Sequence, residues 1–281
     1  MGQVFRQPLL ATERTEFDTG AERLALAIAL ACGKPLAVVL PLASNPEFEA
    51  TAPEVALRAE HDAAAKLERL RQQAAKAGVA IELQVRRGAE AWREIVDEAR
   101  ERAADLLVIR RRGKRSFLAK LMVGEMVEDV LAHAPGAVLV VPRDAAMWTR
   151  RVLVAVEPGR QAERLMALAT AIALECGLPM SAVSVGGAAG QDLAPGGAWL
   201  HALCEAARAQ GAAVDAEVLS GAAAEQVLAT TRRLGADLIV MGVRGAPHAA
   251  RSSLGRVARE VTGRAECPVL LLPPLKEEDI P

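Results

Sequence analysis

Residues 236–256 read ADLIVMGVRGAPHAARSSLGR. An apolar run too short for a helix meets a loop with three glycines, Gly242, Gly245 and Gly255, and the loop leads into the helix-like VAREVTGRAE. A strand that is apolar on both faces and hands over to a helix belongs in a parallel sheet covered on each side. In an open sheet of that kind, ligands sit beyond the carboxyl ends of the strands. Gly242 and Gly245 let backbone N–H groups approach an anion with no Cβ in the way. Gly255 begins a helix whose free N–H groups and positive dipole end face the same spot. Arg244, Arg251 and Arg256 add positive charge, and Ser252 and Ser253 add hydroxyls.

The pattern is written twice. AIALACGKP at 27–35 recurs as AIALECGLP at 171–179, ADLLVI at 104–109 as ADLIVM at 236–241, and AVLVVP at 137–142 as PVLLLP at 268–273. Internal similarity at this spacing marks a duplication. Two α/β domains are expected, 1–145 and 150–276, joined by a polar linker around 143–151, each reading β-α-β-α-β-α-β-α-β. In the second copy the strands fall at 152–156, 181–185, 215–219, 237–241 and 269–272. Helices fall between them at 160–175, 198–209, 223–234 and 254–264, with Gly177 as a natural helix stop. In the first copy, 52–78 reads as a long amphipathic helix with mixed charges on its polar face, which favours a packed helix over a membrane-surface one.

Composition narrows the function classes. The 281 residues are 52% hydrophobic but only 2% aromatic, with no Tyr, so cores are built from Ala, Val and Leu and base-stacking platforms are poorly supplied. A net charge of −1 gives no drive toward DNA or an anionic membrane. The N-terminus lacks the pattern of a signal peptide, and no apolar stretch reaches the ~20 residues of a membrane span. Cys32, Cys176, Cys204 and Cys267 read as reduced core residues of a cytoplasmic protein. His201 and Cys204 are spaced to share a metal, but two ligands without further partners favour a structural role, and no metal site is assigned.

The spacing Gly242-x2-Gly245-x9-Gly255, its place after ADLIVM and the CPVLLLP ending resemble the universal stress protein family, over nearly the whole chain as two tandem copies. The resemblance implies two Rossmann-like domains of the adenine nucleotide alpha hydrolase-like type, each a five-stranded parallel sheet with helices on both faces. It also implies an adenine nucleotide, ATP or AMP with or without Mg, in the second copy. Carried across, Val156 and Glu157 fall where the family places an Asp near adenine and ribose, and Val185 where main-chain atoms contact adenine. Met241, Gly242, Arg244 and Gly245 fall along the ribose and phosphates; Gly255, Arg256 and Val257 close over the phosphates. Glu157 departs from the family's Asp by one methylene, and Arg256 replaces a Ser or Thr with a cation. The resemblance further implies that the two domains pair within one chain through their last strands, and it leaves open the association of two chains.

The first copy is read as degenerate. Arg110 stands at the position of Gly242, ten residues rather than nine separate Gly113 from Gly124, and Glu125 replaces the Ser or Thr. Five of the six residues 110–115 are Arg or Lys, which supplies the alternative reading: a nucleotide-free interaction module docking a protein partner through this basic loop. No catalytic residues are assigned, because no P-loop or nucleophile–base arrangement is legible. The leading expectation is non-catalytic nucleotide binding in a stress response, with weak ATPase activity as a further alternative.

Overall fold

The computed structural model describes residues 4–14, 20–44, 46–111, 125–186, 197–243 and 254–274. The chain divides into two compact units. The first comprises the described residues up to Arg111 and from Glu125 to Met147, the second those from Trp148 onward.

In the first unit, β1 (Pro8–Ala11), α1 (Gly20–Cys32) and β2 (Leu36–Ala43) lead to two helices, α2 (Pro46–Thr51) and α3 (Pro53–Ala77). Then come β3 (Ile81–Gly88), α4 (Ala91–Glu101), β4 (Leu106–Arg110), α5 (Glu125–His133) and β5 (Ala137–Val141). Its strands lie in the order β3-β2-β1-β4-β5, all parallel. Two helices, not the expected one, join β2 to β3. Ala52 leaves helical geometry at φ −134°, and Pro53 starts the 25-residue α3, because a proline at the first helical position costs no backbone hydrogen bond.

The second unit repeats the plan with β6 (Val152–Ala155), α6 (Gln161–Cys176), β7 (Met180–Gly186), α7 (Ala198–Ala209) and β8 (Val214–Ser220). It continues with α8 (Ala223–Leu234), β9 (Leu238–Gly242), α9 (Arg256–Arg264) and β10 (Val269–Leu272). The order is β10-β9-β6-β7-β8, again parallel. Helix α6 ends where expected: Gly177 takes the left-handed conformation at φ 63°, and its N–H closes on the last turn, a conformation that glycine adopts without Cβ strain. Central strands β4, β5, β6, β9 and β10 are almost wholly buried, built from Leu, Val, Ile and Ala. Among the described residues no helix is long and apolar enough to cross a membrane.

One device recurs in both units. The aspartate of each Ala-Asp pair turns back to hold the chain entering the first strand. Asp105 accepts the main-chain N–H groups of Arg6 at 2.6 Å and Gln7 at 3.0 Å. Asp237 accepts those of Thr149 at 2.7 Å, Arg150 at 3.0 Å and Arg151 at 3.0 Å. Charge-assisted bonds to main-chain donors are stronger than neutral ones. Asp237→Ala is therefore expected to lower unfolding free energy by about 2 kcal/mol in urea denaturation. A loss below about 0.5 kcal/mol, the ordinary range of an uninvolved surface change, would refute the clamp.

Candidate functional site

In the second unit the strand order reverses at β6 and β9: β6 leads to β7 on one side, and β9 leads to β10 on the other. That reversal opens a crevice at the carboxyl ends of the strands. A cavity of about 360 Å³ lies there, within the range of small-molecule sites. Eight of the ten site residues expected from sequence line it: Val156 and Glu157 after β6, Val185 on β7, Met241 and Gly242 ending β9, and Gly255, Arg256 and Val257 at the start of α9. Arg244 and Gly245 lie outside the described residues.

The lining divides by chemistry. Val156, Leu165, Val183 and Met241 are buried apolar side chains, and Val227 of α8 joins them. This wall suits a flat, weakly polar ring. Toward α9 the character changes. Gly255 stands at the N-cap with extended geometry, φ −56° and ψ 148°, and no side chain caps the helix. Its first N–H groups have no intrahelical acceptor, and the helix dipole adds about half a positive charge at that end. Arg256, exposed at the rim, supplies a whole one. The helix was expected from residue 254 and starts at Arg256, because Gly255 is not helical.

Three polar lining residues surround this gradient: Glu157, Arg160 and Gln161. Sequence reasoning missed the last two. Gln161 opens α6, and its Nε2 donates to Leu272 O and Pro273 O, both at 2.9 Å, beyond the end of β10. A Cβ on Gly242 would stand 2.7 Å from Gln161 Oε1 and 3.3 Å from Leu165 Cδ1. Gly242 thus has a reason to be glycine that the loop spacing did not reveal: it makes room for the glutamine.

The position in the first unit that corresponds to Gly242 carries a long side chain. Arg110 ends β4 beside Ile109, which pairs with Ala11, just as Gly242 ends β9 beside Met241, which pairs with Ala155. Arg110 Nη2 lies 3.4 Å from Glu13 Oε1, so the arginine meets the acidic side chain that follows β1 instead of projecting toward a phosphate position. Behind it, Thr12 Oγ1 donates to Glu22 at 3.0 Å, and Lys66 of α3 forms an ion pair with the same carboxylate. Glu22 and Lys66 are 2% and 1% exposed. Lys66 is buried because it has a buried partner on α1. Of the basic loop 110–115, only Arg110 and Arg111 lie among the described residues; Gly113 and Gly124 do not.

No nucleophile emerges from the thiols. Burial raises the pKa of Cys176 and Cys204 and pushes Cys267 up to about 12, the reverse of what an attacking thiolate needs. Among the described residues no group of three or more His, Cys, Asp or Glu side chains is placed to hold a metal ion. His201 is exposed and Cys204 is buried.

The chain matches the model of the universal stress protein family twice, over residues 5–142 and 149–273. No curated protein matches it at a significant level. Among solved structures, a universal stress protein from Archaeoglobus fulgidus DSM 4304 is similar over 95% of this chain and 98% of its own, at 22% identity and a TM-score of 0.75. A protein described as a putative universal stress protein from Pseudomonas aeruginosa UCBPP-PA14 is similar over 97% and 95%, at 18% identity and a TM-score of 0.69. These likenesses cover both units and are likenesses of fold. Two family matches that together span almost all of the chain establish it as a member of the universal stress protein family, in tandem form.

Proposed function

We propose that the second unit binds one adenine nucleotide, ATP or AMP, without turning it over, and that the chain acts as a nucleotide-responsive stress protein of the cytoplasm. One observation carries this reading. A single cavity at the strand-order reversal joins an apolar wall to an uncapped helix N-terminus bearing Arg256. A purine fits the first and a phosphate the second. Glu157, which follows β6 on the same lining, supplies an acceptor for the sugar. In the first unit the matching position is taken by Arg110, which pairs with Glu13, and no nucleotide is assigned there.

The charges of the described lining support non-catalytic binding. Phosphoryl transfer requires carboxylates beside the phosphates to hold metal or orient a nucleophile. Among the described lining residues the acidic one is Glu157, which follows β6 and is not on α9. A nucleotide held there acts by being bound.

The test is mass spectrometry of small molecules released by denaturing freshly purified protein. One equivalent of ATP, ADP or AMP per chain is the expected result. Two equivalents would assign a site to the first unit as well. None, with no thermal shift on adding ATP, would reject the nucleotide and turn attention to the basic loop as an interaction surface.

A further inference from the structure

Gln161 offers the cavity something no other described lining side chain offers, a neutral acceptor held in one orientation. A primary amide carries two N–H donors on one end and a carbonyl on the other. Here the nitrogen faces two main-chain carbonyls, Leu272 O and Pro273 O, at 2.9 Å each. Turning the amide over would set oxygen against oxygen, so the network fixes which end is which. Oε1 is left facing Gly242 at the end of β9, on the cavity lining.

The position of that oxygen restricts what it meets. In sheet order the cavity runs from β7 through β6 to β9, with α9 beginning beyond. The apolar wall includes Met241 of β9 and the uncapped N–H groups belong to α9, so Gly242, which lies between these two in the chain, sets the oxygen beside the wall on the side that leads to α9. Phosphate oxygens and the ring nitrogens of adenine are acceptors and gain nothing from a carbonyl. The donors of an adenine nucleotide are its exocyclic amino group and its ribose hydroxyls, and the sugar is the part that lies between base and phosphate.

We propose that Gln161 Oε1 accepts a hydrogen bond from a ribose hydroxyl, and that this contact makes the site select ribonucleotides over their deoxy analogues. The proposal rests on the nucleotide reading above and adds a specificity determinant to it. A site built to receive a hydroxyl discriminates against the analogue lacking it, because the half-buried acceptor, covered by the bound ligand, is then left without a donor.

The experiment is equilibrium binding of ATP, 2′-deoxy-ATP and 3′-deoxy-ATP to the full chain, in the wild type, Gln161→Met and Gly242→Ala. The wild type is expected to favour ATP by about tenfold or more over one of the two analogues. In Gln161→Met that ratio should fall to within about twofold, since the thioether accepts hydrogen bonds only weakly. Gly242→Ala displaces Oε1 without removing the amide, and it should narrow the ratio too. The ratio is internal to each variant, so a general weakening of the fold lowers all three affinities and leaves it unchanged. Equal binding of the three nucleotides by the wild type would overturn the proposal while leaving the nucleotide reading intact. So would an undiminished ratio in both variants, which would assign the contact to another acceptor such as Glu157. Loss in Gln161→Met of a preference for ATP over inosine triphosphate, with ribose selection intact, would move the acceptor to the base and likewise overturn it. Binding of none of them by the wild type would overturn the nucleotide reading, and this proposal with it.

Discussion

Gly242→Arg is expected to weaken nucleotide binding by at least about 100-fold, close to 3 kcal/mol. The first unit already contains the substitution. Arg110 occupies the matching register at the end of β4 and lies 3.4 Å from Glu13. An arginine at 242 has the cavity before it and Glu157 on the same lining. Its Cβ alone would stand 2.7 Å from Gln161 Oε1, so the glutamine must give way first. The guanidinium then reaches across the sugar position toward Glu157, taking from the ligand both its space and its acceptor. Isothermal titration with ATP, beside far-UV circular dichroism to confirm folding, measures the effect. Affinity retained within threefold of wild type would mean that the ligand, if any, binds elsewhere.

The second large effect is on stability. Lys66→Ala is expected to cost about 3–5 kcal/mol, because it strips the cation from a carboxylate that water cannot reach. Glu22 is 2% exposed and receives one hydroxyl bond from Thr12 in addition to the ion pair. For a domain of this size the melting temperature should fall by on the order of 10 °C. The double variant Glu22→Leu/Lys66→Met supplies the contrast. Apolar residues of similar volume often replace a buried pair at little cost, so much of the lost stability should return. A Lys66→Ala variant within about 1 kcal/mol of wild type would show that Glu22 finds other compensation.

Repeated strings made the architecture legible, because each copy confirmed the other's strands and helices. Strand ends were less so. The strand expected at 237–241 is Leu238–Gly242: the side chain of Asp237 is committed to the main chain of residues 149–151, while Gly242 pairs with Leu272. Neither partner is near in sequence. The short α2 was hidden for a different reason, since it abuts α3 and only the geometry at Ala52 separates them.

The candidate site was legible where its residues sit in one motif and illegible where they do not. Gly255, Arg256 and Gly242 come from a spacing. Gln161 comes from a contact 111 residues away, and its neighbours give no hint of it. The burial of Lys66 was not legible either, because periodicity places a lysine on the polar face of a helix and its partner Glu22 is 44 residues distant.

The aspartate clamp has a consequence for how the two copies are free to differ. Asp105 and Asp237 address the path of the chain, not its side chains: their partners are main-chain nitrogens, which every residue but proline carries. The clamped positions can therefore drift without breaking the contact, and they have done so, reading Arg-Gln at 6–7 and Thr-Arg-Arg at 149–151. The aspartate has no such latitude. Substitution is cheap on one side of the interaction and costly on the other, and a search for likeness between the copies recovers the holder while losing what it holds.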